Sequence, residues 1–204
     1  CLQTLHKLPN RIEGKLLRVR KPFAQVALLW IHCRPAISSR FAHQPLKIHV
    51  ENQKTHWETV HATKQPHEVS WTQEIPATSL AFVHSFNLPK TARIIDIGGG
   101  DSRLVDFLLD EGYENVTVLD ISETAIMRAK KRLGAKADKV AWIVSDITEF
   151  HPTTTYDCWH DRATFHFLTT PAQIQAYLDT ARAAVQGYVA IGTFSENGPQ
   201  KCSG

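Results

Sequence analysis

The sequence predicts an α/β fold, a doubly wound and mostly parallel sheet with helices on both faces. Three observations carry that expectation. From residue 51 onward, short β-branched runs alternate with helical patterns of about 10 to 15 residues, the rhythm of successive βαβ units. A glycine cluster, Gly98-Gly99-Gly100, joins one such run to a helix. Aspartates stand at or just beyond the ends of the runs, at Asp96, Asp120 and Asp146.

The elements follow in chain order. A helix over roughly Ala77–Phe86 precedes the first strand, Arg93–Ile97. After the glycines, Leu104, Val105, Leu108 and Leu109 share one side of a helix. The second strand is Asn115–Asp120. Ser122 then caps a helix with Ala125, Ile126, Ala129 and Leu133 on one stripe, and Gly134 ends it. Val140–Asp146 and Tyr156–His160 are the third and fourth strands. Thr170-Pro171-Ala172-Gln173 reads as a capping box with proline at the first helical position. It opens a helix bearing Ile174, Tyr177, Leu178, Ala181 and Val185, which Gly187 closes before the fifth strand, Tyr188–Phe194. Ahead of all these, Trp57–Gln73 is polar, holds two tryptophans and has no period. Packing on the sheet edge and a lid over a ligand are both open readings of it.

Charge divides the chain. Residues 1–50 carry nine Lys/Arg against one acidic residue, Glu13, a net +8, whereas residues 51–204 carry fourteen against nineteen, a net −5. Residues 1–50 are therefore expected as a basic, irregular extension, a leader or a gene-prediction artefact, and 51–204 as the folded domain. An Arg-rich, acid-poor leader fits organelle targeting; otherwise a cytoplasmic monomer without nucleic acid is expected. The longest apolar run, Val26–Ile31, falls far short of the roughly 18 residues of a membrane span. Cys1, Cys33, Cys158 and Cys202 form no C-x-x-C pair, so reduced thiols and no metal site are expected.

Ligand chemistry can be narrowed by elimination. In an open parallel sheet, ligands bind beyond the carboxyl ends of the strands, where the glycine turn falls. A dinucleotide fingerprint needs a third small residue, but that place holds Arg103; a phosphate loop needs a lysine after the glycines, but Asp101 stands there. Something is expected to lie close against the glycine backbone. Asp120 lies 24 residues after Asp96 (120 − 96), where a carboxylate accepts from both ribose hydroxyls. Asp146 stands where it can accept from an adenine amine. The set describes a phosphate-free nucleoside bearing a positive group, which is S-adenosylmethionine.

The motifs DIGGGDS (Asp96–Ser102), LDIS (Leu119–Ser122), SDIT (Ser145–Thr148) and YDCWHDRATFHFL (Tyr156–Leu168) occur in that order. With them the chain resembles the class I S-adenosylmethionine-dependent methyltransferases over residues of about 55 to 204. The resemblance implies a Rossmann-like fold in which Asp96, Gly98, Gly99, Gly100 and Ser102 hold the methionine part, Asp120 with Ile121 the ribose, and Asp146 with Ile147 the adenine. HWETVHATK…EVSW is similar to the aromatic entry segment of these enzymes, which implies Trp57, Ser70 and Trp71 over the cofactor; His61 stands where a tyrosine is usual. Such enzymes continue past the fifth strand with two further strands, one antiparallel, so a sheet lacking them, with an open edge and a truncated chain, is expected.

WHDRATFHF is similar to the D-[KR]-G-[TA] stretch of thiopurine-type methyltransferases and of lysine methyltransferases acting on elongation factors, with Ala163 in place of the glycine. That implies Asp161, Arg162 and His160 as catalytic residues, orienting the acceptor or taking its proton, with His166 one turn further on. The acceptor is a protein lysine or a small molecule. An Asp161–Arg162 pair that merely fixes the loop is the structural alternative. Two other readings of the whole chain stand beside this one: a non-catalytic cofactor-binding module, and a nicotinamide-dependent oxidoreductase, which Arg103 opposes.

Overall fold

The computed structural model describes residues 14–18, 25–31, 50–162 and 164–194. Its strands are β1 (Gly14–Arg18), β2 (Gln25–Ile31), β3 (Arg93–Ile97), β4 (Asn115–Asp120), β5 (Val140–Val144), β6 (Tyr156–Arg162) and β7 (Val185–Phe194). Its helices are α1 (Val50–Thr63), α2 (Ala77–Ser85), α3 (Leu104–Asp110), α4 (Glu123–Leu133) and α5 (Pro171–Ala184). Ala163, Cys1, Cys33, Cys202 and the segment 195–204 lie outside the described residues. The strands form one sheet in the order β1-β2-β7-β6-β3-β4-β5, parallel except for β1 against β2.

Side-chain alternation on the central strands decides what faces what. Ile94 joins the cluster under α2 and α3, with Leu80, Val83, Leu104 and Leu108. Ile95 and Ile97 join the opposite cluster, with Trp159 and Tyr177 of α5. All three isoleucines are fully buried, as expected for a strand covered on both faces. Between β3 and β6 the connections part, to β4 and β5 on one side and to β7 on the other, so a crevice opens beyond their carboxyl ends.

Several elements differ from the sequence expectation. Trp57–Gln73 is not irregular: Trp57 lies in helix α1, and Pro66–Glu68 is a short 3-10 turn. The helix leaves no periodic signal in the sequence because it has almost no apolar stripe, with Val60 its one buried hydrophobic among the described side chains. Gly187 does not close α5. That helix ends at Ala184 and runs directly into β7, where Gly187 sits in the strand at a register shift against β6. A Cβ there would strike the Asp157 carbonyl, so the glycine serves a close approach of two backbones. Residues 1–50, expected to be irregular, contain β1 and β2, and β2 pairs in parallel with β7 over Gln25–Ile31. The β7 edge expected to be open is thus covered, which satisfies its ladder groups.

Candidate functional site

The glycine turn follows β3, and what lies close against it is protein. Gly98 has φ +64°, a left-handed conformation, and a Cβ there would collide with the Thr164 side chain. A Cβ on Gly99 would come within 2.6 Å of Asp96 Oδ2, and one on Gly100 within 2.5 Å of Asp120 Oδ2. The glycines therefore let the turn wrap the Asp96 and Asp120 carboxylates. Gly98, Gly99 and Ser102 line the crevice; Gly100 lies behind it, against Asp120 and Ala125.

Each strand end delivers a carboxylate. Asp96 is 3% exposed; its Oδ1 is 2.7 Å from His160 Nδ1, and its Oδ2 is buried without a partner among the described residues. Asp120 accepts the Ser122 N–H at 2.8 Å. Burial raises its pKa to about 7; the amides of Ser122 and Gly100 pull it down, while the charges of Asp96 and Glu58 push it up. Asp146, two residues past β5, accepts from Thr148 N at 2.8 Å and Thr148 Oγ1 at 2.7 Å through Oδ1, and its Oδ2 is again buried and unpartnered. Ile121 and Ile147 stand beside these carboxylates on the wall.

The three residues expected to be catalytic separate by strand alternation. His160 points to the α2 side, where Nε2 lies 2.9 Å from Ser79 Oγ and Nδ1 meets Asp96, so both ring nitrogens are engaged. Asp161 points to the other face and is fully buried. It accepts from Thr164 N, Phe165 N and Tyr177 Oη, and burial raises its pKa to about 6 against those hydrogen bonds. It is off the cavity wall, so the expectation that it meets the acceptor is corrected: its work is to fold the loop after β6. Arg162 returns to the Asp96 side, lines the cavity and donates to the Trp71 carbonyl at 2.7 Å and to Gln73 Oε1. It makes no ion pair with Asp161, whose carboxylate is on the opposite face. His166 stacks near Phe167, and burial lowers its pKa to about 4.

Trp57 and Trp71 roof the cavity, with ring centroids 5.8 Å apart and Trp57 edge-on to Phe167 at 4.9 Å. His61 lines it too, and burial lowers its pKa. Ser70 is exposed and off the wall, contrary to its expected role. Two residues outside the sequence motifs hold the roof in place. Glu58 of α1 accepts from Ser122 Oγ, Glu123 N and Thr124 N at 3.0, 2.7 and 3.1 Å, which fills the N-terminus of α4. Arg128 of α4 donates to the Lys64 carbonyl at 2.8 Å, just past α1. These partners are 64 to 66 residues apart, so no local pattern announces them.

The donor set fits S-adenosylmethionine. Asp96 and Asp146, each with one buried carboxylate oxygen that has no partner among the described residues, line one cavity that also holds Asp120 and an aromatic roof. Such oxygens are costly unless a donor meets them, and a ligand with an ammonium and an aromatic amine supplies both.

Comparison with known proteins agrees. Residues 94–187 match a family described as a methyltransferase domain. The eEF1A lysine and N-terminal methyltransferase of Mus musculus is 30% identical over 89 residues, 43% of this chain and 13% of that protein. Malonyl-[acyl-carrier protein] O-methyltransferase of Anoxybacillus flavithermus is 34% identical over 105 residues, 50% of this chain and 39% of that protein. The chain thus spans well under half the length of either relative. Phosphoethanolamine N-methyltransferase 1 of Haemonchus contortus, solved with phosphoethanolamine and S-adenosylhomocysteine, shares the fold with a TM-score of 0.54 at 18% identity, over 69% of this chain and 32% of that one. Sheet order and the matched domain agree with a class I S-adenosylmethionine-dependent methyltransferase, the class that the motif order resembles.

Proposed function

We propose that the chain binds S-adenosylmethionine in this cavity and transfers a methyl group to a protein lysine or a small-molecule acceptor. Two cavity-lining aspartates, Asp96 and Asp146, each with a buried carboxylate oxygen lacking a partner among the described residues, carry the reading. Asp96 holds the ammonium, Asp120 the ribose hydroxyls, and Asp146 with Ile147 the adenine, while Trp57 and Trp71 keep water out. When bound, the cofactor supplies an electrophilic methyl already activated by its sulfonium, so the chain's task is chiefly alignment. His160 and Asp161 are committed to other partners, so neither serves as a base. The acceptor arrives with a free lone pair or gives its proton to water.

The relatives' names span protein amines and a malonyl carboxylate, which supports methyl transfer without narrowing the acceptor. In the same reading the enzyme is a cytoplasmic monomer that binds no nucleic acid, in keeping with the net −5 of residues 51–204. No helix among the described residues is long and apolar enough to cross a membrane.

Incubating cell extract with the protein and methyl-labelled cofactor tests the reading. Label should appear in a protein or a metabolite and disappear with Asp96→Asn. Tight S-adenosylhomocysteine binding without any labelled product would instead favour a non-catalytic binding module.

A further inference from the structure

We propose that Glu58 and Ser122 form a relay that makes the roof answer to the ribose, so that Asp120 holding the ribose hydroxyls and Glu58 holding α1 closed stabilise one another. The inference rests on the cofactor reading above. It gives Glu58 a part in choosing the ligand, beyond fastening a helix.

The relay is one continuous set of hydrogen bonds. Ser122 is fully buried; it donates its backbone N–H to Asp120 Oδ1 at 2.8 Å and its hydroxyl to Glu58 Oε2 at 3.0 Å. The same hydroxyl oxygen accepts the Ala125 N–H at 3.1 Å. A hydroxyl has one proton to give, so the orientation of this one is set. Glu58 also accepts the amides of Glu123 and Thr124, and its neighbour on α1, Trp57, lines the cavity. One serine therefore joins a carboxylate of the sheet to a carboxylate of the roof.

Two carboxylates on one residue repel. Burial foremost, and then the charges of Asp96 and Glu58, raise the Asp120 pKa to about 7 against the amides of Ser122 and Gly100. Once Asp120 is ionised, hydroxyl donors offered to it from the cavity offset that repulsion, and they are worth most when Glu58 is in place. By reciprocity, ribose hydroxyls on Asp120 favour closure of α1 by the same factor. The far end of α1 gives the contrast. Arg128 holds it through the Lys64 carbonyl and lies 3.9 Å from Asp101, off the Asp120–Ser122–Glu58 chain. That attachment can close the roof without reading the ribose.

A latch without the relay is the competing role, and the ribose separates the two. Calorimetry at about pH 9, above the Asp120 pKa of about 7, compares S-adenosylhomocysteine with its 2′,3′-dideoxy counterpart. The wild type should prefer the parent about 10- to 100-fold. Glu58→Gln keeps an acceptor for the α4 amides but removes the charge; it should shrink that preference at least about threefold, and Ser122→Ala should do the same. Arg128→Gln should weaken both ligands alike and leave the preference within about twofold. An unchanged preference in Glu58→Gln, or an equal loss of preference in Arg128→Gln, would reduce Glu58 to a latch and overturn the relay. A second measurement needs no variant. In wild-type protein saturated with either ligand, the Glu123 and Thr124 amides should exchange hydrogen at least about threefold more slowly under S-adenosylhomocysteine, and equal exchange would also overturn the relay. Wild type that binds both ligands equally defeats the ribose role of Asp120 and the relay with it; wild type that binds neither defeats the cofactor reading itself.

Discussion

Asp120 shows how much a single residue carries. It closes β4 with Oδ1 on the Ser122 amide, and burial together with the charges of Asp96 and Glu58 sets its pKa at about 7. A carboxyl whose folded pKa lies above its unfolded value binds more protons when folded, so stability falls as pH rises between the two. Relative to Asp120→Asn, the ligand-free wild type should therefore lose stability between about pH 4 and about pH 7, which denaturant melts across that range will read. Asp120→Ala should weaken S-adenosylhomocysteine by about 1.5 to 3 kcal/mol, read by calorimetry, because two hydroxyls lose a charged acceptor. Unchanged affinity would remove Asp120 from the site. Asp96, Asp120 and Asp146 were legible in the sequence because each follows a β-branched run. The neighbours of the glycines were not, since Thr164 comes from a distant loop and only the fold brings it to Gly98.

Among the elements, α1 depends most on tertiary contacts. Its polar sequence offers little for a core, yet Glu58 fastens it to the N-terminus of α4 and Arg128 fastens its far end. Burial acts to raise the Glu58 pKa, but the hydrogen bonds from Thr124, Glu123 and Ser122 outweigh it and leave it lowered. The contribution of that carboxylate is present above its unfolded pKa and is lost as pH falls through the folded one. Glu58→Ala should cost about 1 kcal/mol, the scale of a lost helix cap, and should speed release of bound S-adenosylhomocysteine, measured by stopped-flow tryptophan fluorescence. No change in either would mean that the roof is held by its aromatic contacts alone. The strands were legible because β-branched runs and period mark them; α1 was not, because its stabilising partners are remote. Gly187 misled for a related reason: a glycine after a helical pattern usually caps it, and here the register of β6 and β7 claims it instead.

At the scale of the whole molecule, one sheet order places three strand-end aspartates around a crevice and sends Asp161 to the opposite face. The doubly wound topology was legible from the βαβ rhythm. The division of labour within His160-Asp161-Arg162 was not, because it depends on which face of β6 meets β3. That β2 lies along β7 was also beyond the sequence, since only the assembled sheet shows which edge needs a partner. In the proposed reading this crevice selects a phosphate-free adenine nucleoside with an amino-acid arm. Calorimetric titration of the protein with S-adenosylhomocysteine and, separately, with NADH decides it. Saturable binding of S-adenosylhomocysteine and none of NADH is the expected result; binding of NADH with no response to S-adenosylhomocysteine would contradict it.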